Sequence, residues 1–190
     1  MNKGINLKLH KAYAKLIKNN DDKITVTDLC EKADVARATF YLYYKSIDEF
    51  ILKSKEYLIV KLYEQSELIM KASDAELDNV LKRKNIIFDD FELELLKYYT
   101  SGSNYLEFAA LMNELLAPRY KNLMVEKWGE EFYEKNKAKF EFFKNAVTPL
   151  LYFNLLDYDE STIRYDMHAA RNVANDFFRD IIDDIRKGNS

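Results

Sequence analysis

Glycine and proline are scarce in this chain, whose 190 residues include only 4 Gly and 2 Pro. Proline interrupts helices, and glycine serves the tight turns that β-rich proteins need in number. With 48% hydrophobic and 32% charged residues, the composition is typical of a globular helical protein and excludes collagen-like and low-complexity chains. We therefore predict an all-α fold of about nine helices.

Long apolar runs are also absent. No stretch approaches the ~20 apolar residues that span a membrane, and the N-terminal segment lacks the unbroken apolar core of a signal peptide. We expect a cytoplasmic protein without a membrane partner.

The chain has one cysteine and two histidines, which limits its chemistry. Cys30 has no partner for an internal disulfide, and we predict a small buried side chain rather than a reactive thiol. Neither His10 nor His168 follows a Glu at the spacing of a helical di-iron site. We expect His10 on the surface of a lysine-rich helix and His168 in a dimer contact.

Catalytic motifs are missing as well. The sequence contains no Gly-rich phosphate loop, His-Glu-x-x-His, Cys-x-x-Cys or Gly-x-Ser-x-Gly. We predict that the protein is not an enzyme and has no cofactor or metal site. A helical enzyme with an active site built from scattered residues is an alternative that no motif favours.

Charge is distributed unevenly along the chain. The net charge is -3, but residues 1–46 carry nine Lys or Arg and five Asp or Glu, which leaves 20 and 27 for the remainder. A small basic segment on an acidic body is typical of a DNA-binding domain joined to a regulatory one. We place the domains at residues 1–46 and 47–190.

The stretch from Thr25 to Glu49 predicts two short helices and the start of a long one. Thr25-x-x-Asp28 and Ser46-x-x-Glu49 are N-capping boxes, in which a hydroxyl oxygen accepts an orphan amide of the first helical turn. Two helices of about two turns, joined by a tight turn, make a helix-turn-helix whose second helix fits the DNA major groove.

The second of these helices has an inward and an outward face. Phe40 and Tyr44 lie four residues apart and are predicted to point inward. An outward Arg37 could bind a guanine edge or a phosphate, and the neighbouring hydroxyl groups suit phosphate oxygens. We predict a DNA-binding surface of nine residues: Thr25, Thr27, Ala36, Arg37, Ala38, Thr39, Tyr41, Tyr43 and Lys45.

The same stretch resembles the TetR family of transcriptional regulators. The resemblance is carried by Thr25-Val26-x-Asp28-Leu29 and by Val35-x-x-x-Thr39-Phe40-Tyr41-x-x-Tyr44-x-Ser46-x-x-Glu49. It covers roughly the first fifty residues. It implies a helix-turn-helix DNA-binding head on a larger helical body that binds a ligand and dimerises.

Three positions depart from the family pattern. Asp34 stands where the turn usually has Gly, and Asp tolerates a positive φ better than most residues, so we expect an intact turn. Ala36 stands where the second helix usually has a capping Ser or Thr, so one cap worth ~1 kcal/mol is missing. Ile47 stands where a second phosphate-binding Lys is common.

Six helices are predicted in the body, joined through a loop at residues 100–103. Apolar periodicity and turn signals place them over about 47–72, 73–99, 104–116, 118–136, 137–156 and 162–185. Pro118 fits the first position of the fourth of these helices.

The last two predicted helices carry more apolar surface than one core face needs, and apolar residues of the final helix recur every seven positions. We predict a homodimer interface containing Phe143, Val147, Leu150, Ile163, Met167, Ala170, Ala174, Phe177 and Ile181.

Taken with the resemblance, these features predict a ligand-responsive transcriptional regulator. The expected partners are a double-stranded DNA operator with an inverted repeat, a second copy of the chain, and an unidentified small-molecule effector that releases a repressor from DNA. No effector residue is assigned. The alternative is a helical dimeric binding module with weak or lost DNA binding, which Ala36 and Ile47 favour.

Overall fold

The computed structural model describes residues 3–18, 24–71 and 88–141, together with the single helical positions Asn172, Asp176 and Arg179. The described residues are helical apart from short turns and caps, and none of them belongs to a strand. The prediction of an all-α chain is confirmed for this part of the sequence. None of its helices is long and apolar enough to cross a membrane.

Seven helices follow one another along the three continuous ranges. They are α1 (Lys3–Lys18), α2 (Val26–Ala33), α3 (Arg37–Tyr41), α4 (Ile47–Lys71), α5 (Asp90–Tyr99), α6 (Asn104–Trp128) and α7 (130–141). The expected total of about nine includes helices that fall mainly outside the described residues, so that total stays a prediction.

The chain divides into two compact units. The first contains Met1–Leu68 and Asn85–Pro118, and the second contains Ile69–Lys84 and Arg119–Ser190. Helices α1 to α3 therefore share a unit with most of α4, with α5 and with the first part of α6. The predicted boundary after residue 46 separates two functions and not two compact units, and it stays a prediction.

Helix α1 contributes a large part of the first core and packs against α2 and α5. Its inward face consists of five buried apolar side chains at spacings of one, three and four: Leu9, Ala12, Tyr13, Leu16 and Ile17. Side chains at these spacings form one stripe along a helix, and packing the stripe against neighbouring helices removes it from water.

His10 is also buried, which corrects the expectation of a surface histidine. Only 4% of the residue is exposed. The His10 ring centroid lies 5.2 Å from that of Phe50 and 5.5 Å from that of Tyr57. Neighbouring lysines in the sequence suggested exposure, but His10 is only about 100° around the helix from Leu9, within a wide buried stripe. Burial lowers the pKa of His10 from 6.5 to about 4.

The long helix expected after residue 46 is confirmed as α4. Ser46 caps it, since the Glu49 N–H donates to the Ser46 hydroxyl at 3.1 Å. The Glu49 carboxylate accepts the N–H of Lys45, one residue earlier than a reciprocal capping box requires. Four large apolar side chains of α4 are buried in the first unit: Phe50, Leu58, Ile59 and Leu62.

The single helix expected over 73–99 is not continuous. Phe88 and Asp89 are non-helical, and α5 begins at Asp90. Asp89 has extended backbone and forms a capping box with Glu92, whose carboxylate accepts the Asp89 N–H at 2.7 Å. This Asp-x-x-Glu signal was present in the sequence and was missed, because the apolar periodicity on either side hides the break.

Pro118 does not separate two helices as expected. Helix α6 continues through it to Trp128, and the break falls at Gly129, which has a φ of 89°. Proline lacks an N–H and removes one intrahelical hydrogen bond, which a long helix can tolerate, whereas the positive φ at position 129 suits glycine.

The described core of the second unit is aromatic. The Tyr133 and Phe140 rings are buried and stacked, with centroids 5.8 Å apart. Four partly buried side chains pack against this pair: Met124, Val125, Trp128 and Phe132.

Candidate nucleic-acid interface

The N-terminus of α2 is fixed by the first expected capping box. The Thr25 hydroxyl accepts the Asp28 N–H at 3.2 Å, and the Asp28 carboxylate accepts the Thr25 N–H at 2.9 Å. The Thr25 hydroxyl also donates to that carboxylate at 2.6 Å. These bonds, led by the one from the hydroxyl, lower the pKa of Asp28. Both hydrogen-bonding functions of Thr25 are therefore used inside the cap, and a phosphate contact would compete with it.

The turn between α2 and α3 depends on Asp34. Its backbone is left-handed, with φ 53° and ψ 54°. The Asp34 N–H donates to the Glu31 carbonyl at 3.3 Å, and the Val35 N–H donates to the Cys30 carbonyl at 3.0 Å. This pair of bonds is the Schellman motif, in which the left-handed residue is usually glycine. The expected intact turn with a positive φ is confirmed.

Two aromatic side chains anchor α3 from behind. Phe40 is fully buried and Tyr44 is 5% exposed, as expected from their spacing. The Phe40 and Tyr44 ring centroids are 5.4 Å apart, and that of Tyr44 lies 5.2 Å from Phe50 of α4 in an edge-on contact. The Tyr44 hydroxyl also donates to the Asn6 side-chain oxygen on α1. The inward face of α3 is thus held by α1 and α4, and the opposite face is left to solvent.

The structure brings most of the nine predicted residues onto this outward face or its edges. Six of them are exposed: Thr25, Ala36, Arg37, Ala38, Tyr41 and Lys45. Tyr41 is 49% exposed. Thr27, which belongs to α2, and Thr39 and Tyr43 are half-buried. The surface thus combines two cations with hydroxyl groups.

Leu42 is a residue of this surface that the sequence analysis missed. Its side chain is 79% exposed. The signal was available, because Leu42 follows Ala38 by four residues and lies between the inward-pointing Phe40 and Tyr44 in sequence, on the opposite side of the helix.

The two departures at the ends of α3 have visible structural consequences. Ala36 is the N-cap residue, and no side chain caps the helix there. Ile47 is the first residue of α4 and is half-buried. The amides of the first turn of α3 therefore have no side-chain acceptor at the N-cap, and the position where a second lysine is common carries an apolar side chain.

Lysines of α1 contact two different parts of the molecule. Lys11 lies over the Phe91 ring at 5.7 Å, and Lys18 pairs with Glu94 at 3.7 Å, so both face α5. Lys8 lies 4.0 Å from Asp34, in the turn before α3, with both side chains largely exposed. An exposed pair of this kind contributes little to stability and leaves Lys8 available to a phosphate.

Cys30 lies behind the surface. It is 3% exposed, and burial raises the pKa of its thiol while the Arg37 charge opposes that shift. The expected small buried side chain is confirmed, since a protonated thiol without access to solvent is a poor nucleophile.

A second group of polar side chains lies inside the first unit, between α1, α4 and α5. Glu92 is 1% exposed and accepts hydrogen bonds from Lys61 and from the Tyr57 hydroxyl. Burial, followed by the Glu92 carboxylate, raises the pKa of Tyr57. Three further buried polar atoms have no hydrogen-bond partner: His10 Nε2, Ser54 Oγ and Tyr99 OH. Burial raises the pKa of Tyr99, and the nearby Ser54 hydroxyl opposes that shift, although the two hydroxyls lie outside hydrogen-bonding geometry.

Other expected sites lie partly beyond the described residues. All nine expected dimer-interface residues, from Phe143 to Ile181, lie outside them, as does His168. Within the described part of the chain, no group of three or more His, Cys, Asp or Glu side chains could hold a metal ion.

No protein-family model, curated protein or solved structure matches this chain. The assignment to the TetR family therefore stays a prediction that rests on the residues between Thr25 and Glu49.

Proposed function

We propose that the chain is a DNA-binding transcriptional regulator of the TetR type, in which α2 and α3 form a helix-turn-helix. The observation that carries this proposal is the outward face of α3. It presents Arg37, Tyr41 and Lys45 to solvent, while Phe40 on the inward face is fully buried. A helix held from behind and exposed in front can enter the major groove without losing core contacts.

The polar and charged side chains of this face have the chemistry that DNA binding needs. The Arg37 guanidinium is a planar donor suited to guanine O6 and N7 or to a phosphate. Lys45 and the Tyr41 hydroxyl can contact phosphate oxygens, which fix the register of a protein on the duplex.

The regulatory part of the proposal involves a homodimer and an effector. Two heads on one inverted repeat need a fixed separation, which the apolar seam of the C-terminal helix would supply. Helix α4 continues without a break from Ile47 to Lys71, so a change in the body can tilt the head. A small apolar effector that binds among the helices after residue 46 would release the operator, and operator and effector would then weaken each other's binding reciprocally.

The experiment is a selection of fragments from the protein's own genome by the full-length chain, followed by sequencing. The proposal expects enriched fragments that share an inverted repeat, with half-sites one DNA turn, ~34–36 Å, or a multiple of it apart. Without any enriched repeat at low salt, the helical binding module becomes the better description.

A pair of variants tests the role of α3 itself. Arg37→Ala is expected to weaken binding to an enriched fragment by about tenfold or more, and binding to random DNA by much less. Lys53→Ala is the control, because Lys53 is a lysine of α4 that pairs with Glu56. Equal losses of Arg37→Ala on both DNAs would make Arg37 a phosphate contact and not a base reader.

The second candidate function is a dimeric binding module that has kept the architecture without strong DNA binding. Two observations favour it: α3 has no side-chain cap, and half-buried Ile47 stands where a second phosphate-binding lysine is common in the family. This candidate expects binding to DNA that is weak, independent of sequence and unaffected by Arg37→Ala.

A further inference from the structure

Leu42 is more exposed than any other large apolar side chain in the described part of the molecule, at 79%. It is held in a regular position. Its backbone is right-handed helical, with φ −70° and ψ −21°, and the Tyr44 N–H donates to the Phe40 carbonyl at 3.0 Å, so the helical turn continues past Leu42. Transfer of this side chain to water is unfavourable, and contact with an apolar group would recover that energy.

Leu42 is the C-cap residue of α3, and its side chain projects along the middle of the outward face. At about 100° per residue, Leu42 points about 180° away from the mean direction of Phe40 and Tyr44, the two anchors. Ala38, one turn earlier, lies beside it on the same face and is exposed. Tyr41 lies on one side of this apolar pair and Thr39 on the other. The middle of the outward face is therefore apolar, and the groups suited to phosphates lie along its margins.

The major groove offers one apolar group at the base edges, the C5 methyl of thymine. Apart from ring C–H groups, the other groups there are hydrogen-bond donors or acceptors, and covering one with an isobutyl group would remove it from water without a partner. We infer that Leu42, with Ala38, reads a thymine methyl in each operator half-site. The inference rests on the proposed function and adds a base preference to it, at a residue separate from Arg37.

The test uses the enriched duplex and removes one methyl at a time. Each thymine of a half-site, with its symmetry mate, is replaced by deoxyuridine, which deletes the C5 methyl and leaves base pairing intact. One pair of positions is expected to weaken binding by about fourfold per half-site, the equivalent of one buried methyl group. Leu42→Ala should cause a loss of similar size on the thymine duplex.

A combined measurement identifies the contact. If Leu42 touches the methyl, Leu42→Ala costs affinity on the thymine duplex and nothing further on the deoxyuridine duplex, so the two changes are not additive. Leu106→Ala is the matched control, because Leu106 is a leucine of α6 with 77% exposure. Its substitution should change neither affinity, and the melting temperatures of both variants should equal that of the parent chain.

The failures of the two proposals can be told apart. If a duplex is enriched and depends on Arg37, but no deoxyuridine substitution weakens it or Leu42→Ala binds as well as the parent, the thymine reading is wrong and the regulator stands. The thymine reading is also wrong if the affinity losses from Leu42→Ala and from the deoxyuridine substitution add up, because Leu42 and the methyl group then make separate contacts. If no duplex is enriched, both proposals fall.

Discussion

Lys61 Nζ lies 2.7 Å from each carboxylate oxygen of Glu92, a residue that is only 1% exposed. The pair joins α4 to α5 across 31 residues of sequence. The ammonium group also lies 5.4 Å from the centroids of the Tyr57 and Phe88 rings. Removal of one partner from a buried pair leaves the other charge desolvated without compensation, so such a pair is costly to break whether or not it is a net source of stability.

Glu92→Gln is therefore expected to lower the free energy of unfolding by about 3 kcal/mol, measured by urea denaturation. Glutamine keeps an acceptor for the Asp89 N–H, so the helix cap is largely preserved while the charge is lost. Glu56→Gln is the matched control, because its Lys53 partner is an exposed lysine and the change should be small. Adding Lys61→Met to Glu92→Gln should recover part of the loss; two independent losses would show that the ion pair is not the cause.

His10 is expected to make stability fall in mild acid. Its pKa in the folded chain is lowered from 6.5 to about 4 by burial, so the unfolded chain binds the proton first as pH falls. The His10 contribution is fully present above pH 6.5 and is lost between pH 6.5 and 4, by about 3 kcal/mol in total. Unfolding free energies at pH 7.5 and 5 measure this loss.

The control for this prediction is His10→Phe, which keeps an aromatic ring against Phe50 and Tyr57 and removes the titrating group. The other titrating side chains are present in both chains, so the difference between the two losses reports on His10. The variant should lose less stability between the two pH values. Parallel losses in the two chains would contradict the predicted effect of His10.

Ile47→Lys tests the departure at the start of α4. If the side chain lies beside the DNA backbone, lysine adds one phosphate contact per protomer, and the slope of log K against log salt steepens by roughly 0.9 per contact, close to two units for a dimer. The half-buried position of Ile47 allows a different result, in which the variant melts at a lower temperature and gains no affinity. A stable variant with an unchanged slope would mean that Ile47 faces away from DNA.

Ala174→Arg tests the predicted C-terminal seam. An arginine at a small-residue position of a packed helix interface would bury an unpaired charge, so sedimentation is expected to show monomers. Asn172→Arg is a suitable control, because Asn172 is helical and exposed. A dimer that tolerates Ala174→Arg with parental stability would place the interface elsewhere.

Local chemistry was enough to predict the cap of α2, the turn before α3 and the inward side of α3. The Thr25 cap, the left-handed Asp34 turn and the inward Phe40 each depend on neighbours within about one helical turn, where residue spacing determines geometry. The burial of Cys30 was predicted from its place in the short helix α2. The missing side-chain cap at Ala36 could be read from one residue type.

Tertiary structure decided the features that depend on contacts between distant helices. The residues near His10 in sequence do not indicate that Phe50 and Tyr57 pack against it. Those near Glu92 do not indicate that it pairs with Lys61. Spacing along one helix determines which residues share a face, but it does not determine which other helix covers that face. A histidine among lysines and a glutamate in an acidic segment look solvent-exposed until a second helix removes the solvent. The lowered pKa of His10 and the buried ion pair of Glu92 arise only from that packing.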